Sequence, residues 1–228
     1  QHQIWLSEAK TGWVSANFSR NNTILDMGSG PGTCSKELAM IVGTGGKIIS
    51  VDKSSYYIQH IENNLQNKFP QIIPICANFE DLNLEPNSID HMFCRWSLAW
   101  VQNPNKIIGK VKNFLKKGGK MVFHEYYDWS THQIFPFKKN LDKCIKTALK
   151  SFKDSDFEID IGAALLQILY DMDFKIISTR LMPKLARPDS KEWNWPKTFY
   201  YNYFPRLVKM GYLNHNDTKE FFEDFKSL

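Results

Sequence analysis

The sequence lacks any apolar run near the roughly 20 residues that a helix needs to cross a bilayer. Its first residues, 1–5, carry no basic stretch followed by an apolar core, so they are unlike an export signal. The chain does not begin with Met and can therefore start inside a longer native sequence. We expect a cytoplasmic protein without a membrane partner.

The sequence is also poor in cysteine. Its four cysteines, Cys34, Cys76, Cys94 and Cys144, form no C-x-x-C pair and have no clustered histidines near them. This spacing argues against a zinc site and predicts reduced thiols, so we expect no metal. Hydrophobic residues make up 43% and charged residues 23% of the chain, which is typical of a folded globular protein.

Strong charge of one sign is absent as well. The 29 Lys and Arg exceed the 24 Asp and Glu by five. Part of the excess recurs at nearly helical spacing, in Lys138, Lys139, Lys143, Lys146, Lys150 and Lys153. This spacing favours a solvated helix face over a nucleic-acid patch, so we expect no nucleic-acid partner.

The hydrophobic pattern alternates between short β-branched runs and longer amphipathic stretches, which is typical of βαβ units around a parallel sheet. The predicted strands are Thr23–Met27, Lys47–Asp52, Ile72–Cys76, Ile89–Cys94 and Lys120–Tyr126. Beyond them the pattern predicts helices over 137–153 and 162–170 and an extended run over 175–181. The fold class is therefore α/β.

We predict a single domain over 1–228 and a monomer. Within it, 1–22 forms an N-terminal helix or lid, 129–160 a helical insertion, and 185–228 an annex rich in aromatic residues. Two interpretations of the annex stay open. Its aromatic side chains wall off a binding site, or they bury one face of an ordinary helix, as the spacing of Phe199, Tyr203 and Leu207 indicates.

The most informative stretch is a glycine-rich loop after the first strand, Asp26-Met27-Gly28-Ser29-Gly30-Pro31-Gly32. Glycines there let the backbone turn tightly beside a ligand at the carboxyl end of the strand. A dinucleotide fingerprint needs its third glycine one residue later, and a carboxylate at Asp26 suits a cationic ligand better than a pyrophosphate. Alternatively, Asp26 caps the loop without touching a ligand.

This D-x-G-x-G-x-G pattern resembles the first motif of the class I S-adenosylmethionine-dependent methyltransferases. The resemblance covers about residues 23–127 and implies a sheet of order 3-2-1-4-5 plus C-terminal strands. It implies S-adenosylmethionine as cofactor and S-adenosylhomocysteine as product. The Leu115–Gly119 turn departs from the family pattern, since Lys117 replaces a proline.

The resemblance also implies where the cofactor lies. Asp52, with Lys53 beside it, closes the second strand, where an acidic side chain accepts both ribose hydroxyls. Residues after the third strand lie against adenine, and the backbone at the end of the fourth lies beside the methionine part. The implied cofactor-binding residues are Asp26, Gly28, Ser29, Gly30, Gly32, Asp52, Lys53, Asn78, Phe79, Cys94, Arg95 and Trp96.

Three side chains at the end of the fifth strand are candidate bases: His124, Glu125 and Asp128. Strand alternation places His124, Tyr126 and Asp128 on one face and Glu125 on the other, unless the strand has already ended. Structural alternatives stay open, because His124 can be a hydrogen-bonded sheet residue and Arg95 can pair with a carboxylate.

We therefore predict methyl transfer to a small-molecule acceptor by in-line displacement. One alternative is an RNA or protein methyltransferase. Nucleobase-amine enzymes of this superfamily carry Asn- or Asp-Pro-Pro-aromatic where this chain has Cys94-Arg95-Trp96-Ser97. Another alternative is a non-catalytic cofactor-binding protein, since motifs that bind the cofactor do not by themselves show catalysis. Glycine spacing disfavours a nicotinamide-dependent reductase.

Overall fold

The computed structural model describes residues 2–228 and contains a five-stranded parallel sheet of order β3-β2-β1-β4-β5. The strands are β1 Thr23–Met27, β2 Lys47–Asp52, β3 Ile72–Cys76, β4 Ile89–Arg95 and β5 Leu115–His124. The order reverses between β1 and β4, and open α/β sheets bind ligands in the crevice at such a point. The predicted α/β class and strand order are confirmed.

Residues 2–228 also contain eight α-helices: α1 His2–Ser15, α2 Thr33–Val42, α3 Ser55–Ile61, α4 Pro104–Phe114, α5 Lys139–Lys153, α6 Ile161–Asp171, α7 Asn194–Lys209 and α8 His215–Lys226. The start of α4 shows how local sequence sets an element. The Asn103 side chain accepts a hydrogen bond from the Lys106 amide, and Pro104 occupies the first turn, where no amide is needed. No helix within residues 2–228 is both long and apolar enough to cross a membrane.

Three apolar clusters hold these layers together. One face of the sheet packs against α1, α2 and α3, and the other packs against α4 and α6. The third cluster lies away from the sheet, where α5, α7 and α8 bury Tyr200, Phe204, Leu207 and Phe221 among themselves. The C-terminal region is therefore helical and aromatic-rich, as predicted.

The fifth strand differs from its prediction at both ends. It begins at Leu115 rather than Lys120 and ends at His124 rather than Tyr126. The stretch 116–119, predicted as a turn, instead interrupts the pairing with β4, because the register jumps from Ile89↔Leu115 to His91↔Lys120. Gly118 in this stretch has a φ of 83°, a conformation that glycine adopts readily.

The C-terminal strands expected after β5 are not found among residues 2–228. The run over 175–181, predicted to be extended, has no regular hydrogen-bonded structure. Ile177 and Leu181 are 60% and 70% exposed, so the burial that would stabilise a strand is missing.

Candidate active site

The glycine loop forms the floor of the crevice between β1 and β4. Gly28, Gly30 and Gly32 have φ values of 76°, 53° and 78°. A Cβ on Gly28 would lie 1.9 Å from the Ser97 hydroxyl, and one on Gly32 would lie 2.7 Å from Leu65. A Cβ on Gly30 would meet nothing within 4 Å. Gly28 and Gly32 therefore allow close packing, whereas Gly30 borders open space.

Asp26 lies beneath this loop with 2% of its surface exposed. Its carboxylate accepts a hydrogen bond of 2.6 Å from the Ser35 hydroxyl, which in turn accepts one of 2.8 Å from Ser50. Burial raises the pKa of Asp26 to about 6. The carboxylate therefore links β1 to α2 directly and to β2 through Ser35, and its hydrogen bonds go to Ser35 rather than to the glycine loop.

Asp52 ties the end of β2 to the glycine loop. One carboxylate oxygen accepts the Gly30 amide at 2.9 Å, and the other accepts the Ser54 amide at 2.9 Å. The neighbouring Lys53 is exposed. The structure thus brings two predicted cofactor residues, Asp52 and Gly30, into direct contact.

The loop after β3 approaches the same crevice. The Phe79 ring lies near Gly28, since a Cβ on Gly28 would be 3.5 Å from the ring. Asn78 is exposed, and its amide donates to Asp81 at 3.2 Å. Phe79 is therefore placed against the glycine loop, while Asn78 lies at the rim.

The end of β4 supplies a cation and an aromatic ring. The Arg95 guanidinium lies 5.1 Å from the centre of the Trp96 ring, and Nη2 lies 3.1 Å from Nδ1 of His2. Arg95 Nη1 is buried and has no hydrogen-bond partner among residues 2–228. Trp96 stacks on Tyr126 at 5.7 Å, with the two rings 6° from parallel.

These features fit the cofactor that the sequence implies. Two buried polar atoms, Ser29 Oγ and Arg95 Nη1, lack partners within residues 2–228, and buried polar atoms normally have one. Gly30 opens onto space, and the Asp52 carboxylate lies beside it. Polar groups and room for a ligand therefore coincide at the switch point of the sheet.

Glu125 holds the loop that follows β4. Its Oε1 accepts the Ser97 amide at 3.0 Å and the Leu98 amide at 2.9 Å, and the Cys94 thiol lies 3.4 Å away. Burial outweighs these bonds and raises the pKa of Glu125 to about 7. Glu125 Oε2 is buried without a partner among the described residues.

The other two candidate bases lie elsewhere. His124 packs edge-on against Phe93, on the face covered by α1, and burial lowers its pKa to about 4. Asp128 is exposed and caps the turn at 129–131 by accepting the Ser130 amide at 2.8 Å. Hydrogen bonding from the Ser130 side chain, and then from its amide, lowers the pKa of Asp128. The three side chains thus do not converge, and their catalytic roles stay predictions.

A cavity of about 360 Å³ opens beside Trp96. It is lined by Trp100, Tyr126, Trp129, His132, Phe152, Ile159, Trp195, Pro196, Thr198, Phe199, Asn202, Tyr203 and Arg206. Trp195 joins it to the end of β4, because its ring lies 6.2 Å from Trp96 and 5.1 Å from Trp5 of α1. Tyr200, by contrast, points into the annex core.

Several of these residues escaped the sequence analysis. Ser35, Ser97 and Trp5 act through contacts far apart in the chain, and no local pattern singles them out. Phe199 and Tyr203 were predicted to share one helix face, and the same spacing of four places Trp195 on that face.

Comparison with known proteins agrees with this geometry. A family model described as a methyltransferase domain matches residues 18–191, most of the chain. The chain belongs to this methyltransferase family. One relative is the ubiquinone/menaquinone biosynthesis C-methyltransferase UbiE of Francisella tularensis subsp. holarctica, which is 26% identical over 191 residues. The match covers 76% of this methyltransferase and 73% of the relative.

A second relative is an uncharacterised transposon protein of Streptomyces fradiae, 30% identical over 110 residues. The match spans 48% of this methyltransferase and only 31% of that protein. Among solved structures, an S-adenosylmethionine-dependent methyltransferase of Aquifex aeolicus aligns with a TM-score of 0.50 at 16% identity, covering 63% of this chain and 77% of that one. The [4+2]-cyclase SpnF aligns with a TM-score of 0.55 at 14% identity, covering 72% and 56%.

These structural likenesses concern the fold, which is that of the class I methyltransferases. Family and fold together identify an S-adenosylmethionine-dependent methyltransferase. The family resemblance of the glycine loop is therefore confirmed.

Proposed function

We propose that this methyltransferase transfers the methyl group of S-adenosylmethionine to a small-molecule acceptor by in-line displacement. The observation that carries the proposal is the aromatic cavity beside Trp96, at the carboxyl ends of β4 and β5. Its volume of about 360 Å³ lies within the range of about 300–1,000 Å³ typical of small-ligand sites. The UbiE relatives, named as biosynthetic C-methyltransferases, support a small-molecule acceptor.

The proposed cofactor site is the crevice over the glycine loop. Asp52 would accept hydrogen bonds from the ribose hydroxyls, and Phe79 would lie against the adenine with Asn78 at its edge. Arg95 and Ser29 have the unpartnered polar atoms that a bound ligand can engage. The other predicted residues, Asp26, Cys94 and Lys53, support or border this crevice.

When bound, S-adenosylmethionine supplies an already electrophilic methyl group, so the protein needs neither a covalent nucleophile nor a metal ion. The chain's own task is to orient the acceptor and to exclude water from it. Trp96, Tyr126 and Trp195 form the wall between the crevice and the cavity. We propose that these rings hold the acceptor in line.

Among the candidate bases, we propose Glu125 for acceptors that must lose a proton. Its pKa of about 7 suits a general base near neutral pH, and its Oε2 is not used by the Ser97 and Leu98 amides. His124 lies on the face of the sheet covered by α1 and its pKa is lowered, and Asp128 is engaged as a cap and its pKa is also lowered. Neither therefore suits proton removal near neutral pH as Glu125 does. The monomeric state and cytoplasmic location stay predictions.

The proposal is tested with cofactor labelled in its methyl group. The protein is incubated separately with a metabolite extract, total RNA and a protein fraction, with the Gly30→Val variant as control. We expect label in a small molecule, detected by mass spectrometry. Faster labelling of RNA or protein would reverse the choice of acceptor class. Cofactor binding without transfer to any fraction would favour a non-catalytic protein.

A further inference from the structure

Helix α7 presents two parallel stripes to the cavity. Trp195, Phe199 and Tyr203 recur every four residues and form an aromatic stripe. Thr198, Asn202 and Arg206 recur at the same spacing and form a polar stripe beside it, which ends in a cation. The cavity therefore has an apolar side and a polar edge that run along the same helix.

The remaining walls are aromatic. Trp129 packs 5.1 Å from Phe199, and Phe152 stacks 5.0 Å from Tyr203. Trp100 closes this side with an edge-on contact to Phe152 at 6.1 Å. Such walls favour flat rings or hydrocarbon chains.

The charge of the cavity is one-sided. Among residues 2–228, none that lines the cavity is Asp or Glu. His132 is bonded to the Tyr200 hydroxyl, and burial lowers its pKa to about 4, so it is neutral near pH 7. Arg206 is exposed and forms no ion pair with any of residues 2–228, whereas Lys143 and Lys150 of the neighbouring α5 are both paired with aspartates.

The two ends of the cavity are far apart. Trp195 and Arg206 are eleven positions apart in the sequence, which is about 16 Å along a helix axis. Trp195 contacts Trp96 at the end of β4, beside the proposed cofactor crevice. A molecule held at Arg206 must therefore be long to reach the methyl group.

We propose that the acceptor is an elongated apolar molecule, containing a ring or a hydrocarbon chain, with a carboxylate that pairs with Arg206 while its methyl-accepting end lies at Trp195. This inference rests on the proposed function and names its substrate class. A single cation matches a singly charged group, and the planar guanidinium matches a carboxylate in geometry.

The test uses two probes of equal length, 6-phenylhexanoate and the neutral 6-phenylhexan-1-ol. Their affinities are measured by calorimetry, with and without saturating S-adenosylhomocysteine. We expect the carboxylate to bind about twofold to fivefold more tightly than the alcohol, because Arg206 is exposed, and this advantage should shrink as salt rises to about 0.5 M. Arg206→Ala should abolish this difference and leave the affinity of the alcohol unchanged.

Lys209→Ala is the matched control, because Lys209 is also an exposed cation of α7 but does not line the cavity. This variant should keep the full preference for the carboxylate, and Arg206→Lys should keep part of it. Equal affinity for both probes, no binding of either probe, or an unchanged preference in Arg206→Ala overturns the inference. The probes are also measured without S-adenosylhomocysteine, so the two proposals can fail separately. If S-adenosylhomocysteine itself does not bind, the proposed function is overturned, whatever the probes do.

Discussion

The stability of this protein should depend on pH through Glu125. The side chain bonds the Ser97 and Leu98 amides through one oxygen, while its other oxygen is buried without a partner among residues 2–228. Glu125→Gln keeps an oxygen acceptor of the same shape but cannot ionise. Glu125→Ala removes the acceptor and leaves two amides unpaired, at roughly 1–3 kcal/mol each.

The size of the expected change in stability follows from the pKa shift of Glu125. Burial raises the pKa of Glu125 from 4.5 to about 7, so the folded state binds a proton more tightly than the unfolded state does. The stability due to this proton is fully present below pH 4.5 and is lost as the pH rises through 7. A difference of roughly 2.5 between the two pKa values corresponds to about 3 kcal/mol.

The assay is urea unfolding of the wild type and of Glu125→Gln between pH 5 and pH 8.5. Because Asp26 and the histidines are common to both proteins, their titrations cancel in the difference. We expect Glu125→Gln to gain up to about 3 kcal/mol relative to the wild type as the pH rises across this range. If the difference in unfolding free energy between the two proteins does not change with pH, burial does not raise the pKa of Glu125 and the reasoning is refuted.

Three further predictions concern the ligand sites. Asp52→Ala should weaken S-adenosylhomocysteine binding in calorimetry by roughly 1–3 kcal/mol, whereas Lys47→Ala, an exposed residue at the opposite end of β2, should not. Equal affinities for the two variants would remove the ribose role of Asp52. Gly30→Val should abolish cofactor binding at a stability cost of only about 1–2 kcal/mol from its positive φ, and retained binding would show that the space over Gly30 is not the cofactor's. Trp195→Ala should slow methyl transfer with little change in melting temperature, while Tyr200→Ala should lower stability by roughly 3–5 kcal/mol. The reverse pattern would exclude a role for Trp195 in the wall of the acceptor cavity.

The sheet was predictable because its strands are short apolar runs that end at turn residues. The strands β1, β2 and β3 have the predicted bounds. Gly28 follows β1, Asp52 ends β2, and β3 lies between Pro70-Gln71 and the polar loop at Asn78. The start of β5 was not predictable, because Lys116–Gly119 has turn chemistry but is held beside β4 by long-range pairing. The run over 175–181 failed for the opposite reason, since its residues favour a strand but have no partner surface.

The site was predictable where local backbone chemistry defines it. The residue types of the glycine loop were enough to predict its position, and the position of Asp52 followed from its place at the end of β2. The hydrogen bonds from the Ser97 and Leu98 amides to Glu125 were not predictable, and neither was the aromatic cavity. Both bring together residues that are far apart in the sequence, from β4, β5, α5 and α7 and the loops beside them. Strand alternation also did not place Tyr126, since the strand ends at His124 and the next residues turn toward Trp96.

A crystal structure with S-adenosylhomocysteine tests the central claim most directly. We predict adenosine between Asp52 and the Asn78–Phe79 loop, with the sulfur at the wall formed by Trp96 and Trp195 and facing the aromatic cavity. A ligand bound away from the glycine loop would contradict the cofactor site. A sulfur pointing away from that cavity would contradict its assignment as the acceptor pocket.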